Sequence, residues 1–502
     1  MFMRDYHAHE IGNVAVLGHS GCGKTSIVET MAYRAGTIGQ IGNIQSGNTI
    51  SDYSAEEIAR QSSINLSIVP IEWDNCKINL IDVPGTFDFV GETEAALSVC
   101  ESALIICPSY AGISAGTKQA MYKARDKGKI IYINGLDNPN SDYPTKLQQL
   151  KDTYGKGIAP IQVPIMDNNK MVGYVNVAKM EGRMFENGQT HEAPIPEDMM
   201  DEVLPIKAMI DEAVANTSDE LLEKYLEEEP FTKEEISNAL RQGVTDGSLI
   251  PVLCGTDRIG ISIILNSMCA FFDSANHPKN ALIVKDLKKD DEKILECNED
   301  SPTSLFVFKT ITDPFVGKTS YFKVTSGTLY TGMTLYNPKE KEDEKIVKIY
   351  QPMGKNLIEV DKLHAGEIGA FTRSTTCHTN DTLCDPRSPI LIPDTEYSKP
   401  YYKKAIVPLG KSNEEKIANA INRLLEEDPT LIYEYNEETK QQCLSGIGDI
   451  HLDTVLNKLK ARFKVEAKFE DVKIPYRETI KKEVTQRTDI RNSLVVMDSL
   501  VK

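Results

Sequence analysis

The chain has 502 residues, enough for several domains, and its 40% hydrophobic and 26% charged residues are the balance of a globular protein. No apolar run is long enough to span a bilayer, and the opening MFMRDYHAHE lacks the apolar core of a secretion signal, which argues against a membrane or exported protein. Lys and Arg total 56 against 74 Asp and Glu, a net charge of −18, which argues against indiscriminate binding of DNA or other polyanions.

The ten cysteines form no C-x-x-C pair, so neither a zinc framework nor a disulfide framework is expected, and they read as reduced cytoplasmic thiols. Asn13 to Leu17 (NVAVL) reads as a buried strand, and Ser26 to Ala35 as a helix stopped by Gly36. Between them lies GHSGCGKT, Gly18 to Thr25, with the G-x-x-x-x-G-K-T spacing of a phosphate-cradling loop. Gly18, Gly21 and Gly23 permit the tight turn that aims main-chain N–H groups at a phosphate, and the following helix adds its positive N-terminal end. Lys24 supplies a point charge for the outer phosphates, and the Thr25 hydroxyl is a Mg²⁺ ligand. Such a loop binds a nucleoside triphosphate. Cys22 reads as a small residue filling the loop in preference to an activated thiol.

Thr37 to Gln61 has no clear period and reads as a long mobile connection. It leads to a strand-like alternation, Ser62 to Trp73, and then to CKINLIDVPG, Cys76 to Gly85, a buried strand that ends in Asp82-Val83-Pro84-Gly85. A carboxylate at the end of a strand beside a phosphate loop is where a Mg²⁺-side Asp belongs, with the Gly85 N–H available to a terminal phosphate. Strands at Ser102 to Ser109 and Lys129 to Asp137, with a helix over Lys118 to Lys127, continue a parallel, doubly wound sheet. Its last strand is Leu249 to Asp257, followed by a helix over Ile261 to Phe272. Asn134 and Asp137 fall at a strand's carboxyl end, where such sheets bind ligands. An Asp there accepts from both N1–H and the 2-amino group of guanine, a pattern adenine lacks, which favours GTP over ATP.

The order of phosphate loop, D-x-P-G, N-x-x-D and a late C-G-T resembles the translational GTPases of the elongation factor G family, in particular its elongation-factor-G-like branch, from about Ile11 to about Lys482. The resemblance implies an α/β fold: a P-loop GTPase domain (1–277) with an inserted subdomain (about 158–248), a linker (278–302), a β-barrel second domain (303–395) and a ferredoxin-like α+β third domain (400–474). It implies GTP/GDP and Mg²⁺ as ligands. Gly18, His19, Ser20, Gly21, Cys22, Gly23, Lys24, Thr25, Asp82, Gly85, Asn134, Asp137, Gly255 and Thr256 would then hold the nucleotide. Ser63 falls where the family places the metal-coordinating Thr of its first switch, so Thr25, Ser63 and Asp82 would hold the metal. Lys24, Gly85 and Thr86 are left as the catalytic set. The implied partner is the ribosome, through its RNA and stalk protein, for a cytoplasmic monomer with no membrane or DNA role.

Three departures from the family pattern bear on activity. Ser20, Gly21 and Cys22 replace the V-D-A of G-H-V-D-A-G-K-T, which removes an acidic side chain. Gly135 replaces the Lys of N-K-x-D, which normally packs over the base. Thr86 stands where the family's His orients the attacking water, and a hydroxyl offers no imidazole. The expectation is therefore a GTP-hydrolysing elongation factor with weakened turnover. A ribosome-binding module that holds GTP without turnover is the alternative, and a ribosome-protection protein a more distant one.

Ala159 to Val177 reads as short strands and Pro196 to Gly243 as helices, with the acidic run Asp219 to Glu235 as a solvated helix face. Asn276 to Asn298 is linker-like by composition. From Ser304 short β-rich runs with Gly turns suggest a small closed barrel, and from Pro400 the order is β-α-β-β-α-β. There Ser412 and Glu415 read as a capping box, and His451 as a packed or capping histidine in preference to a ligand or catalyst. PYRETI, Pro475 to Ile480, resembles the family's entry into a fourth domain, and 475–502 reads as a stub of it; if that is the whole gene product the expectation is that it cannot translocate, with a truncated or frame-shifted reading frame as the expected explanation.

Overall fold

The computed structural model describes residues 4–186, 189–313, 317–374, 376–410 and 414–478. Its N-terminal part is built on β1 (Ile11–Gly18), whose Val14 to Leu17 are almost fully buried because the strand lies between two others with helices on both faces. The chain continues through α1 (Lys24–Arg34), α2 (Ala55–Arg60), β2 (Ser67–Trp73), β3 (Cys76–Asp82), α3 (Val90–Val99), β4 (Ser102–Pro108), α4 (Ala115–Lys123), β5 (Gly128–Asn134), α5 (Tyr143–Tyr154) and β6 (Ile158–Pro160). An insertion follows with β7 (Gln162–Asp167), β8 (Lys170–Asn176), β9 (Glu181–Glu186), β10 (Gln189–Ala193), α6 (Met200–Ala215), α7 (Asp219–Leu226) and α8 (Lys233–Asp246). Then β11 (Ile250–Gly255) and α9 (Ile261–Phe271) return to the main sheet.

That sheet has seven strands in the order β2-β3-β1-β4-β5-β11-β6. It is not wholly parallel as expected: β2 runs antiparallel to β3, from Ser67 opposite Asp82 to Trp73 opposite Cys76. The positive-φ pair Asp74 and Asn75 makes a tight hairpin there and leaves no chain for a crossover. β2 also starts five residues later than the alternation suggested. Two carboxylates take the preceding amides out of the ladder: Glu57 accepts from Ile64 and Asn65 N at 3.1 and 3.0 Å, and Glu92 from Leu66 N at 2.7 Å.

The segment read as a mobile connection is also anchored. Buried Glu29 accepts from Gly42 N at 2.7 Å and Ile50 N at 2.8 Å, and α2 begins in a Ser54/Glu57 capping box. The helix expected over Lys118 to Lys127 begins three residues earlier, because the Ser114 hydroxyl accepts from Thr117 N and fixes its first turn.

The insertion forms a four-stranded sheet in the order β10-β9-β8-β7, of which β9 and β10 were not anticipated. Asn276 to Asn298, linker-like by composition, carries a hairpin of Leu282–Asp286 with Asp291–Leu295, extended by Ile390–Leu391. The β-rich part centres on the long pair Ser304–Asp313 and Gly317–Ser326 in an eight-stranded antiparallel sheet around Leu305, Val307, Phe322 and Leu383. This is the β-rich part that the short runs with Gly turns suggested. The final part has strands Tyr402–Pro408, Ile432–Asn436, Gln441–Gly446 and Ala467–Glu470 with helices Glu414–Glu427 and Asp449–Phe463. Its first strand lies between the third and fourth, the split β-α-β order expected. Ser412 of the expected capping box lies outside the described residues, as does the tail from Thr479. No described helix is long and apolar enough to cross a membrane.

Charged groups join these parts. Glu92 of α3 holds Lys309 at 2.5 and 2.7 Å while bonding Leu66, so one carboxylate links two chain segments of the first part to the β-rich part. Lys323 donates to Val99 O at 2.9 Å and pairs with Glu101, whose charge outweighs the burial that would otherwise lower the Lys323 ammonium. Asp88 accepts from His451 N at 3.0 Å at the start of the last helix. His451 itself is buried: its Nε2 donates to Asp428 at 2.8 Å and its Nδ1 accepts from Ile447 N at 3.2 Å, the packed role expected.

Burial would raise the Asp428 carboxyl, but His451 and Thr430 together hold it well below the usual carboxylate range. A depressed carboxylate stabilises the fold above its unfolded pKa of about 4 and loses that contribution as pH falls through the folded value. Asp428→Asn is therefore expected to cost about 1–3 kcal/mol at pH 7. The deficit should shrink below pH 4, which thermal unfolding of both proteins across pH 3–7 measures.

Candidate functional site

β1 ends at Gly18, and the chain turns through Gly21 and Gly23 into α1. Gly23 has φ +94°, and a Cβ there would lie 2.4 Å from Asn134 Nδ2, so only glycine fits. α1 starts without a side-chain cap, which leaves its first amides to face the loop, as an anion site requires. Lys24 is buried and donates to the carbonyls of Gly18 and His19, both at 3.0 Å. Ser20 and Gly21 are exposed, and His19 packs on Gly116, where a Cβ would come within 2.6 Å of its ring. Cys22 is buried and burial pushes its thiol up, so it fills the loop and is not an activated nucleophile.

Thr25, Ser63 and Asp82 meet at one point. The Thr25 hydroxyl donates to Asp82 Oδ2 at 2.8 Å and lies 3.3 Å from Ser63 Oγ, although the three residues come from α1, the run before β2 and the end of β3. The other Asp82 oxygen is buried on the side of Ser51. Burial pushes the Asp82 carboxyl up to about 6 against the pull of Lys24. Burial, and then the charge of Asp82, pushes Asp52 up to about 7. Two buried carboxylates beside two hydroxyls are an all-oxygen set in which Lys24 is, among the described residues, the one cation that acts on both carboxyls, and such a set fits Mg²⁺. Asp52 was not singled out from the sequence. It sits in the run read as a connection, and no spacing rule connects it to Asp82.

Gly85 lies against the phosphate loop. A Cβ there would be 2.4 Å from Lys24 Nζ, 2.6 Å from Ser20 N and 2.7 Å from Gly18 O. Thr86, half-buried, accepts from Phe89 N through its carbonyl at 3.1 Å and opens a short helical turn.

On the opposite side, β5 and β11 run parallel with Asn134 opposite Gly255, and Leu136 N donates to Gly255 O at 3.1 Å. Asn134 Nδ2 donates to Cys22 O at 2.8 Å, which ties this loop to the phosphate loop, while its Oδ1 is buried with no partner among the described residues. The Thr256 hydroxyl accepts from Arg258 and Ile259 N at 3.1 and 2.9 Å, and the Tyr132 hydroxyl braces the same turn 2.7 Å from Thr256 O. Gly255 has no room for a side chain, since a Cβ would lie 2.2 Å from that hydroxyl. Asp137 is exposed at the rim of these loops and makes no hydrogen bond among the described residues. Tyr110, also missed in the sequence, is exposed and 3.4 Å from where a Gly135 Cβ would stand. It follows Ser109, whose amide and hydroxyl are held by the Asn134 and Gly135 carbonyls at 2.8 and 2.6 Å. The crevice thus has a cationic, amide-lined end with an oxygen cluster, and a rigid two-loop end with a carboxylate and an aromatic ring.

Comparison with known proteins agrees with this layout. The elongation factor Tu GTP-binding domain matches residues 9–274, elongation factor G domain 2 matches 302–386, and elongation factor G domain III matches 397–471. Among solved structures, a crystal structure of a protein from Thermus thermophilus superposes with a TM-score of 0.84 at 31% identity. The match covers 94% of this chain and 69% of that one.

Proposed function

The chain belongs to the elongation-factor-G-like translational GTPases, and from that premise we propose that it hydrolyses GTP on the ribosome, with Mg²⁺ in the Thr25–Ser63–Asp82 pocket. The observation that carries the reading is the meeting of these three residues next to buried Lys24, where two buried carboxylates and two hydroxyls make an all-oxygen set.

In this reading Lys24 leaves the Gly18 and His19 carbonyls for the outer phosphates, and the loop amides with the uncapped start of α1 take the remaining charge. Thr25, Ser63 and Asp82 would hold the Mg²⁺, which would supply positive charge against the phosphates. Gly85, already against the loop, offers its N–H to the terminal phosphate, and Thr86 positions the attacking water through its hydroxyl alone. Asp137 reads the purine, with Asn134 holding the base loop to the phosphate loop. The segments around Ser63 and Gly85 are held by the terminal phosphate and relax when it leaves. Their links to Lys309 through Glu92, and to the last helix through Asp88, carry that change outward. The place of action is the cytoplasm.

A second reading, a ribosome-binding module that holds GTP with little turnover, is favoured by Thr86. Phosphate release from GTP, with and without ribosomes, separates the two. Ribosome stimulation is the expected outcome, whereas an unchanged rate on bound GTP supports the holding module and removes hydrolysis from the proposal.

A further inference from the structure

A second convergence of ligand atoms lies away from the nucleotide crevice, where three distant segments meet. His7 Nδ1 lies 3.0 Å from Glu299 Oε2, and His364 Nδ1 lies 3.3 Å from the same oxygen. All three ligand atoms fall within 4.8 Å of one another.

Glu299 and His364 are fixed from behind. Glu299 uses its other oxygen to accept from Ala8 N at 2.7 Å, which leaves Oε2 to face the two imidazoles. His364 is buried, and its Nε2 lies 3.0 Å from Asp5 Oδ1, itself paired with Lys362. With the Nε2 proton donated to Asp5, the His364 lone pair is on Nδ1 and points at a carboxylate. This carboxylate–histidine arrangement orients metal-binding imidazoles. The Thr328 hydroxyl, 3.2 Å from the same nitrogen, can lend it one proton but leaves Glu299 facing both rings. Glu299 Oε2 thus faces both rings, and a metal ion in place of the proton shared with His7 would keep all three groups aimed at one centre. The His7 side chain is 55% exposed, so the cluster is open to solvent on that side.

We propose that His7, Glu299 and His364 form a binding site for a divalent transition metal of the zinc class, with water completing the coordination. Two imidazoles and one carboxylate suit Zn²⁺, Co²⁺ or Ni²⁺, whereas Mg²⁺ and Ca²⁺ prefer oxygen alone. The bound ion staples the N-terminal segment to Glu299 and to strand Lys362–His364 of the β-rich part. Asp5 orients His364 and is a positioning residue.

The test is a titration of the full chain, stripped with chelator and then saturated with GDP and Mg²⁺, with ZnCl₂ followed by calorimetry and with CoCl₂ followed by visible absorption. The native chain should bind one Zn²⁺ with a rise in unfolding temperature, and Co²⁺ should give the intense visible bands of a four-coordinate site. His7→Ala and Glu299→Gln should weaken that event at least about tenfold and remove the bands, with GDP affinity unchanged. His9→Ala should bind as the native chain does. Both informative variants alter partly exposed side chains, so the test does not depend on removing buried His364. Equal Zn²⁺ binding by native, His7→Ala and Glu299→Gln proteins would overturn the proposal. So would no Zn²⁺ binding by the native chain, which would leave a protonated ion-pair network.

Discussion

Lys24→Ala is expected to lower affinity for GTP by about 100-fold or more, the largest single effect in the crevice. A charge-assisted bond contributes about 1.5–3 kcal/mol, and a triphosphate tail offers this ammonium more than one oxygen. In the ligand-free chain the same group is satisfied by two main-chain carbonyls at 3.0 Å. Its removal leaves those carbonyls unpaired and takes a positive charge away from buried Asp82, so the ligand-free chain should also lose about 1–3 kcal/mol, and the loss of binding has to be measured apart from this loss of stability. Titration with a fluorescent GTP analogue reads the first quantity and calorimetry the second. Near-native affinity in the variant would show that the phosphates lie elsewhere.

Asp82→Asn is expected to move stability and binding in opposite directions. The native carboxylate is buried, and its charge raises the neighbouring Asp52 carboxyl. An amide of the same shape removes the like-charge conflict, so the nucleotide-free chain should gain about 1–2 kcal/mol. The same change takes an anionic ligand from the oxygen cluster, so Mg²⁺-dependent GTP affinity should fall by about 10- to 100-fold. Thermal unfolding in chelator and GTP titration with and without Mg²⁺ measure the two effects. A variant both less stable and unimpaired in Mg²⁺-dependent binding would make Asp82 a structural residue only.

What was legible in the residues, and what was not, follows from range. The phosphate loop, the Asp82 strand end and the Asn134 strand end are local: residue type and spacing specify strand, turn and helix, and β1, β3 and β5 place them on one edge. Thr25, Ser63 and Asp82 were named together only through family resemblance, and the structure brings them within hydrogen-bond distance. Asp52 and Tyr110 were missed because each depends on a contact across the fold, with Asp82 and Gly135 respectively. The run Thr37 to Gln61 reads as unstructured for the same reason. Its order comes from Glu29, a helix residue whose buried carboxylate captures two distant amides, and no periodicity encodes that. The hairpin after Asn280 was hidden by alternating Lys and Asp, which suit an exposed two-stranded edge as well as a linker.

The central claim is that a main-chain cradle with one ammonium grips a triphosphate while Asp137, some distance along the same crevice, distinguishes guanine from adenine. Titrating the full chain in Mg²⁺ with GTP, GDP and ATP tests it most directly. GTP and GDP should bind and ATP should be rejected by at least about tenfold, as expected for a polar readout of the base edge. ATP binding as tight as GTP binding would contradict the base-side account.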